Sequence, residues 1–146
     1  MSRTGKGHTV AWELAAALLA ANVVGYAFDL YAAFWWFDRF LHAATIFALT
    51  FWLAVMILSE GIREGRTVLF VLLVASVGVA VGALWEVAEW VFDRLAFGNV
   101  IKGKDDTVID IVMDTVGAVA AAALALRFRP DAARLAMAPE ETSCVR

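Results

Sequence analysis

Four stretches of this chain are apolar over nearly the ~20 residues that a helix needs to cross the hydrocarbon of a bilayer. They are Thr9–Phe28, Phe40–Ser59, Thr67 to about Phe92, and Thr107–Leu126. In hydrocarbon no water reaches the backbone, so such stretches must close their own hydrogen bonds as helices. Composition agrees: 62% of the 146 residues are hydrophobic and the mean hydropathy is +0.75, whereas soluble domains use roughly 45–50% apolar residues. A chain this short could not hide that much apolar surface from water. The connections are short, so neighbouring helices should run antiparallel. The expectation is an all-α polytopic membrane protein, with one transmembrane domain over 1–128 and a polar tail over 129–146 that holds both prolines.

Arg3 and Lys6 ahead of an apolar run also fit a signal peptide. A span is the better reading, because the run is long for a signal, contains Glu13 and continues through Tyr26 and Phe28. With four spans, one side of the membrane carries Arg3, Lys6, Arg63, Arg66, Arg127, Arg129, Arg134 and Arg146. The other carries Arg39, Arg94, Lys102 and Lys104, and eight against four places both termini in the cytoplasm of a bacterial inner membrane. Trp35, Trp36, Trp85 and Trp90 then gather at the outer boundary as an aromatic belt. A net charge of −3 without a basic run gives no footing for nucleic acid. Cys144 is the one cysteine, which excludes an intrachain disulfide and a cysteine zinc site.

On this topology the acids converge. Asp38 and His42 share a helix face at i,i+4 at the outer start of the second span, and Glu86 and Glu89 share one at i,i+3 near the outer end of the third. Asp106, Asp110 and Asp114 repeat every four residues from the outer start of the fourth span, the last about 12 Å below the first. Asp38 and one of Asp105 or Asp106 could be no more than helix N-caps. Asp110 and Asp114 lie too deep for that, and Glu86 and Glu89 sit toward a helix C-terminus, where the macrodipole disfavours anions. An acid at a helix centre costs about 2.5–3.5 kcal/mol to insert. The group must therefore be protonated or compensated by a cation. Gly78 and Gly82 before Glu86, and Gly117, Ala118, Ala121 and Ala122 after Asp114, provide small faces along which the third and fourth spans could approach closely.

These residues carry a resemblance. Asp38-Arg39-Phe40-Leu41-His42, the WEVAEW run from Trp85 to Trp90, and Asp106-x3-Asp110-x3-Asp114-x2-Gly117 look like the YjdF-type inner-membrane family of unknown function. Their order is also similar, more distantly, to VanZ-like membrane proteins, although Arg39, Glu89 and Asp114 stand where those typically have Lys, Gln and Asn. The likeness covers about residues 30–122 and implies a polytopic bacterial membrane protein with a shared polar site, without implying a reaction.

Oxygen donors with one imidazole suit a divalent cation such as Mg, Mn, Fe or Zn. The expected ligands are Asp38, His42, Glu86, Asp110 and Asp114, with His42 or Glu89 as general base on activated water. The reaction would be hydrolysis or group transfer on a lipid or lipid-linked phosphate. Two other readings stay open. One is a proton- or cation-coupled carrier using the same acids; the other is a structural membrane protein glued by hydrogen-bonded acids, and either could be a homo-oligomer.

Overall fold

The computed structural model describes residues 3–59, 67–96 and 100–128. The tail from 129 onward, Cys144, Arg63 and Arg66 lie outside the described residues. Helices α1 (Arg3–Ala27), α3 (Phe37–Ser59), α4 (Thr67–Ala96) and α5 (Lys104–Ala125) form the bundle, and α2 (Leu30–Ala33) is a single turn between the first two. There is no strand among the described residues. Four helices are long and apolar enough to cross a membrane, over His8–Ala27, Phe37–Leu58, Thr67–Ala96 and Lys104–Phe128.

The sequence reading is adjusted at three places. The second span begins at Phe37 rather than Phe40, and the third runs on to Ala96. The connection after α1 is partly helical: Asp29 takes a left-handed conformation (φ 53°), which a short polar side chain tolerates, and its carbonyl accepts the Ala33 amide at 3.0 Å to start α2. Tyr31 of α2 donates its hydroxyl to Asn22 Oδ1 at 2.9 Å. Burial pushes its phenol up to about 12, so it stays a donor. Tyr31 and Phe37 also pack edge to face at 5.1 Å, where Gly25 of α1 leaves no room for a side chain.

The third turn of the chain is made by Asp93 near the end of α4. Its carboxylate accepts the amides of Val100 (2.9 Å) and Ile101 (2.9 Å), which folds the connection back and sets the start of α5. Asp106 then accepts the Lys102 amide at 3.2 Å, a role close to the capping expected of it. Asp38 faces elsewhere, towards His42 and Lys102, each at 4.0 Å.

Helix α3 is the hub, touching α1, α4 and α5. Small residues make this possible. Gly117, Ala118, Ala121, Ala122 and Ala125 form the buried stripe of α5. A Cβ on Gly117 would run into the Ala43 carbonyl of α3, whose carbon would be 3.0 Å away. A Cβ on Gly78 would meet Thr50 and, at 2.8 Å, Ala118. Towards the end of the bundle away from the acids, Phe51, Val55, Leu58, Phe70 and Val74 close a purely apolar core with Ala11 of α1. The outward faces are rich in exposed Leu, Val and Trp, as lipid-facing surfaces are. Arg39 and Arg94 lie over the rings of Trp35 and Trp90, at 5.4 and 5.1 Å, so the aromatic belt also holds cations.

Gly117→Leu should cost about 1–3 kcal/mol of stability, because the obstacle is backbone and cannot turn aside. The outward-facing Ala120→Leu should change little. Unfolding of both variants in detergent checks this; equal losses would mean that α3 and α5 are not held in close contact.

Candidate metal centre

His42, one turn into α3, is the centre of the cluster. The Phe37–Ser59 helix carries it inward from Asp38, and it is 9% exposed. Its two ring nitrogens face different helices. Nδ1 lies 3.3 Å from Asp114 Oδ1 on α5. Nε2 lies 3.7 Å from Glu86 Oε1 on α4 and 4.0 Å from Asp38 Oδ1 on its own helix. The spacing expected from antiparallel helices thus brings Asp38, His42, Glu86, Asp110 and Asp114 together. One donor atom each from Asp38, His42 and Asp110 lie within 4.8 Å of one another, and so do donors from His42, Glu86 and Glu89.

Asp114 can sit this deep because Gly82 of α4 has no side chain. A Cβ there would collide with the Asp114 carboxylate, whose Cγ would be 2.6 Å away. Asp114 is fully buried, and Glu86 and Asp110 are only 4% and 3% exposed. Glu86 Oε1, Asp110 Oδ1 and Asp114 Oδ2 are buried with no hydrogen-bond partner, as is Thr50 Oγ1 two turns below His42. Buried carboxylate oxygens without partners are uncommon, because each forgoes the hydration it had in water.

Around this core stands a ring of satisfied groups. Glu89 Oε1 accepts the Trp85 indole N–H at 2.8 Å. Arg39 donates to the Trp35 carbonyl and approaches Asp106 at 3.6 Å. Lys102, from the loop before α5, approaches Asp38 at 4.0 Å. Sequence reasoning gives no site role to Lys102 or Thr50. Lys102 is a basic residue near an acid, and Thr50 lies two i,i+4 steps along α3 from His42; neither pattern distinguishes a site from an ordinary surface or helix face.

The ring geometry constrains the chemistry. If Nδ1 carries its proton and donates it to Asp114, the Nε2 lone pair points to the side where Asp38 and Glu86 meet the ring. This is the arrangement in which a carboxylate orients a metal-binding imidazole. If both nitrogens are protonated, the imidazolium compensates one carboxylate and leaves the others without a counter-charge.

Among known proteins, a family described as predicted membrane protein (DUF2238) matches residues 7–131, a stretch that includes every residue of the cluster. An uncharacterized protein of Thermotoga maritima is 28% identical over 115 residues, which covers 78% of this chain and 60% of that protein. The chain therefore spans about three-fifths of that relative's length. No solved structure matches the chain.

The contact between His42 and Asp114 should be visible as energetic coupling. A double-mutant cycle of His42→Gln and Asp114→Asn, read by unfolding in detergent, should give an interaction of about 0.5–3 kcal/mol. His42→Gln combined with Asp105→Asn, an exposed acid at the start of α5, should be additive. Additivity in both cycles would mean that the ring is not held by Asp114.

Proposed function

The chain belongs to the DUF2238 family of predicted membrane proteins, and on that premise we propose that it holds a divalent cation near one end of its bundle. The ligands would be His42 Nε2 and oxygens from Asp38, Glu86 and Asp110, with Asp114 orienting the ring from the Nδ1 side or, through its second oxygen, joining the shell. The observation that carries this reading is the set of buried carboxylate oxygens left without partners around one imidazole. An ion of this class takes carboxylate and imidazole donors together. Two overlapping triads, Asp38–His42–Asp110 and His42–Glu86–Glu89, each have donor atoms within 4.8 Å of one another, so small side-chain adjustments would bring either to ligand distances of roughly 2.0–2.6 Å.

The reaction proposed for the site is hydrolysis or group transfer on a lipid or lipid-linked phosphate. A bound cation would supply Lewis acidity towards a phosphoryl oxygen and make water more acidic. The proton acceptor is then better assigned to Glu89 than to His42. The imidazole has one nitrogen facing Asp114 and would commit the other to the ion, whereas the half-buried Glu89 carboxylate is held in place by Trp85 and borders an open cleft. A carrier is less favoured, because among the described residues the bundle beyond Thr50 is filled by the buried apolar side chains Phe51, Val55, Leu58 and Val74. Structural glue is less favoured because hydrogen-bonded acids would leave fewer oxygens without partners. The excess of basic residues on the side of the termini favours a site at the outer face.

Added Mn or Mg should raise the melting temperature of the purified protein in detergent, and a chelator should reverse it. At an ion concentration of about 100 times Kd the gain is roughly 2.7 kcal/mol. Asp110→Asn and Glu86→Gln should abolish the response while leaving the helices intact by circular dichroism. A flat response in the unaltered protein, together with no metal by elemental analysis, would overturn the metal reading. Orientation has its own check. A cysteine placed at Asn99 should react with an impermeant reagent from outside and one at Gly65 only from inside; the opposite pattern would place the site at the cytoplasmic face.

A further inference from the structure

Helix α1 packs against α3: Ala11 is buried in the apolar core with Leu14 against it, and Gly25 is buried against Phe37 and Tyr31. Between α1, α3 and α4 lies a cleft of about 550 Å³, within the range of roughly 300–1,000 Å³ typical of small-ligand sites. It is amphipathic along its length. One end is walled by Asp38, His42, Glu89 and Lys102, and the other by Leu19, Leu49 and Val81. From His42 to Leu49 along α3 is about 10 Å.

The two ends ask for different things. Apolar walls at membrane depth do not hold water, and the nearest material that fills such a space is hydrocarbon. The polar end offers a lysine whose side chain is 55% exposed, close to acids that repel an anion unless a cation lies among them. A cleft of that volume, apolar at one end and bearing Lys102 at the other, suits a molecule with one chain and an anionic terminus. We infer that this cleft binds a single-chain phosphate amphiphile, with its hydrocarbon chain between Leu19, Leu49 and Val81 and its phosphate at Lys102 beside the acid–histidine cluster. The assignment of the headgroup rests on the metal reading above, whereas the chain slot does not. It narrows the substrate from lipids in general to those that present one chain to the protein, and it brings the phosphate to the side of the cluster where Glu89 stands.

Binding can be read by native mass spectrometry on the full chain in amphipol, with Mn present. The probes are dodecyl phosphate, dodecylphosphocholine and inorganic phosphate. Dodecyl phosphate should bind at least tenfold more tightly than the other two. Val81→Trp, which fills the slot from α4, should weaken it at least tenfold without altering the Mn-dependent melting shift. Leu49→Trp makes the same test from α3 if the first variant fails to fold. Lys102→Gln should weaken dodecyl phosphate several-fold and leave dodecylphosphocholine unchanged. Equal binding of dodecyl phosphate and inorganic phosphate, or undiminished binding in the folded tryptophan variants, would overturn the slot while leaving the metal reading untouched. Loss of the Mn response with chain binding intact would overturn the metal reading and the headgroup assignment, and leave the slot.

Discussion

The seating of the Asp114 carboxylate between Gly82 and His42 is the contact on which the rest of the bundle depends. It joins three helices at one point: α4 contributes an absence of side chain, α5 the acid and α3 the imidazole. Packing and charge are inseparable here. Any residue larger than glycine at position 82 would have to displace a buried carboxylate, and any movement of that carboxylate would release the ring that organises Glu86 and Asp38. Gly78 and Gly117 extend the close approach, and the small residues of α5 continue as a buried stripe into the apolar core at Ala121, Ala122 and Ala125.

Helix direction then sorts the acids. The N-termini of α3 and α5 lie at the site, and their partial positive charge favours Asp38, Asp105 and Asp106 in the first turns. Glu86 and Glu89 lie on the C-terminal half of α4, where the field has the opposite sign. Glu89 is partly compensated by the Trp85 indole and by access to the cleft. Glu86 is buried with one oxygen unpartnered and faces His42 at 3.7 Å, and Asp110 on α5 is buried with one oxygen unpartnered as well.

Much of this was legible before any coordinates. Helix periodicity and antiparallel order suffice to bring Asp38, His42, Glu86 and Asp110 to one depth, because those two facts fix the height and the face of each residue. The four spans follow from hydropathy, which records cumulative burial in lipid. What escaped depends on local torsions and on tertiary spacing. The turn at Asp29 and the short α2 arise from one left-handed residue in a sequence that is not glycine. The extension of α4 to Ala96 accompanies Asp93 capturing the amides of Val100 and Ile101 in the next loop, a contact with no helical period to announce it. The side of the ring on which Asp114 falls is set by the His42 rotamer, so spacing could place it in the cluster without separating an orienting role from a ligating one. The cleft is less legible still, since its lining comes from α1, α3, α4 and the loop before α5 together.

Compensation of the cluster is the point on which the metal reading turns. At an effective dielectric of about 20, two like charges 4 Å apart repel by roughly 4 kcal/mol. Acids gathered this closely around a single imidazole therefore favour a reading in which a cation lies among them. The fixed cations are already engaged at the rim: Arg39 with Asp106 and the Trp35 carbonyl, Lys102 near Asp38. Protons would neutralise the acids one at a time, and each would then need an acceptor for its new O–H. A divalent cation neutralises two at once and uses the oxygens that are without partners. The cleft adds a geometric point, because it reaches the cluster through Asp38, His42 and Glu89, while Asp110 and Glu86 form the closed side behind them. On the proposed metal reading, a buried acidic floor and an open wall carrying the half-buried Glu89 would let an ion be held from one side and a substrate approach from the other.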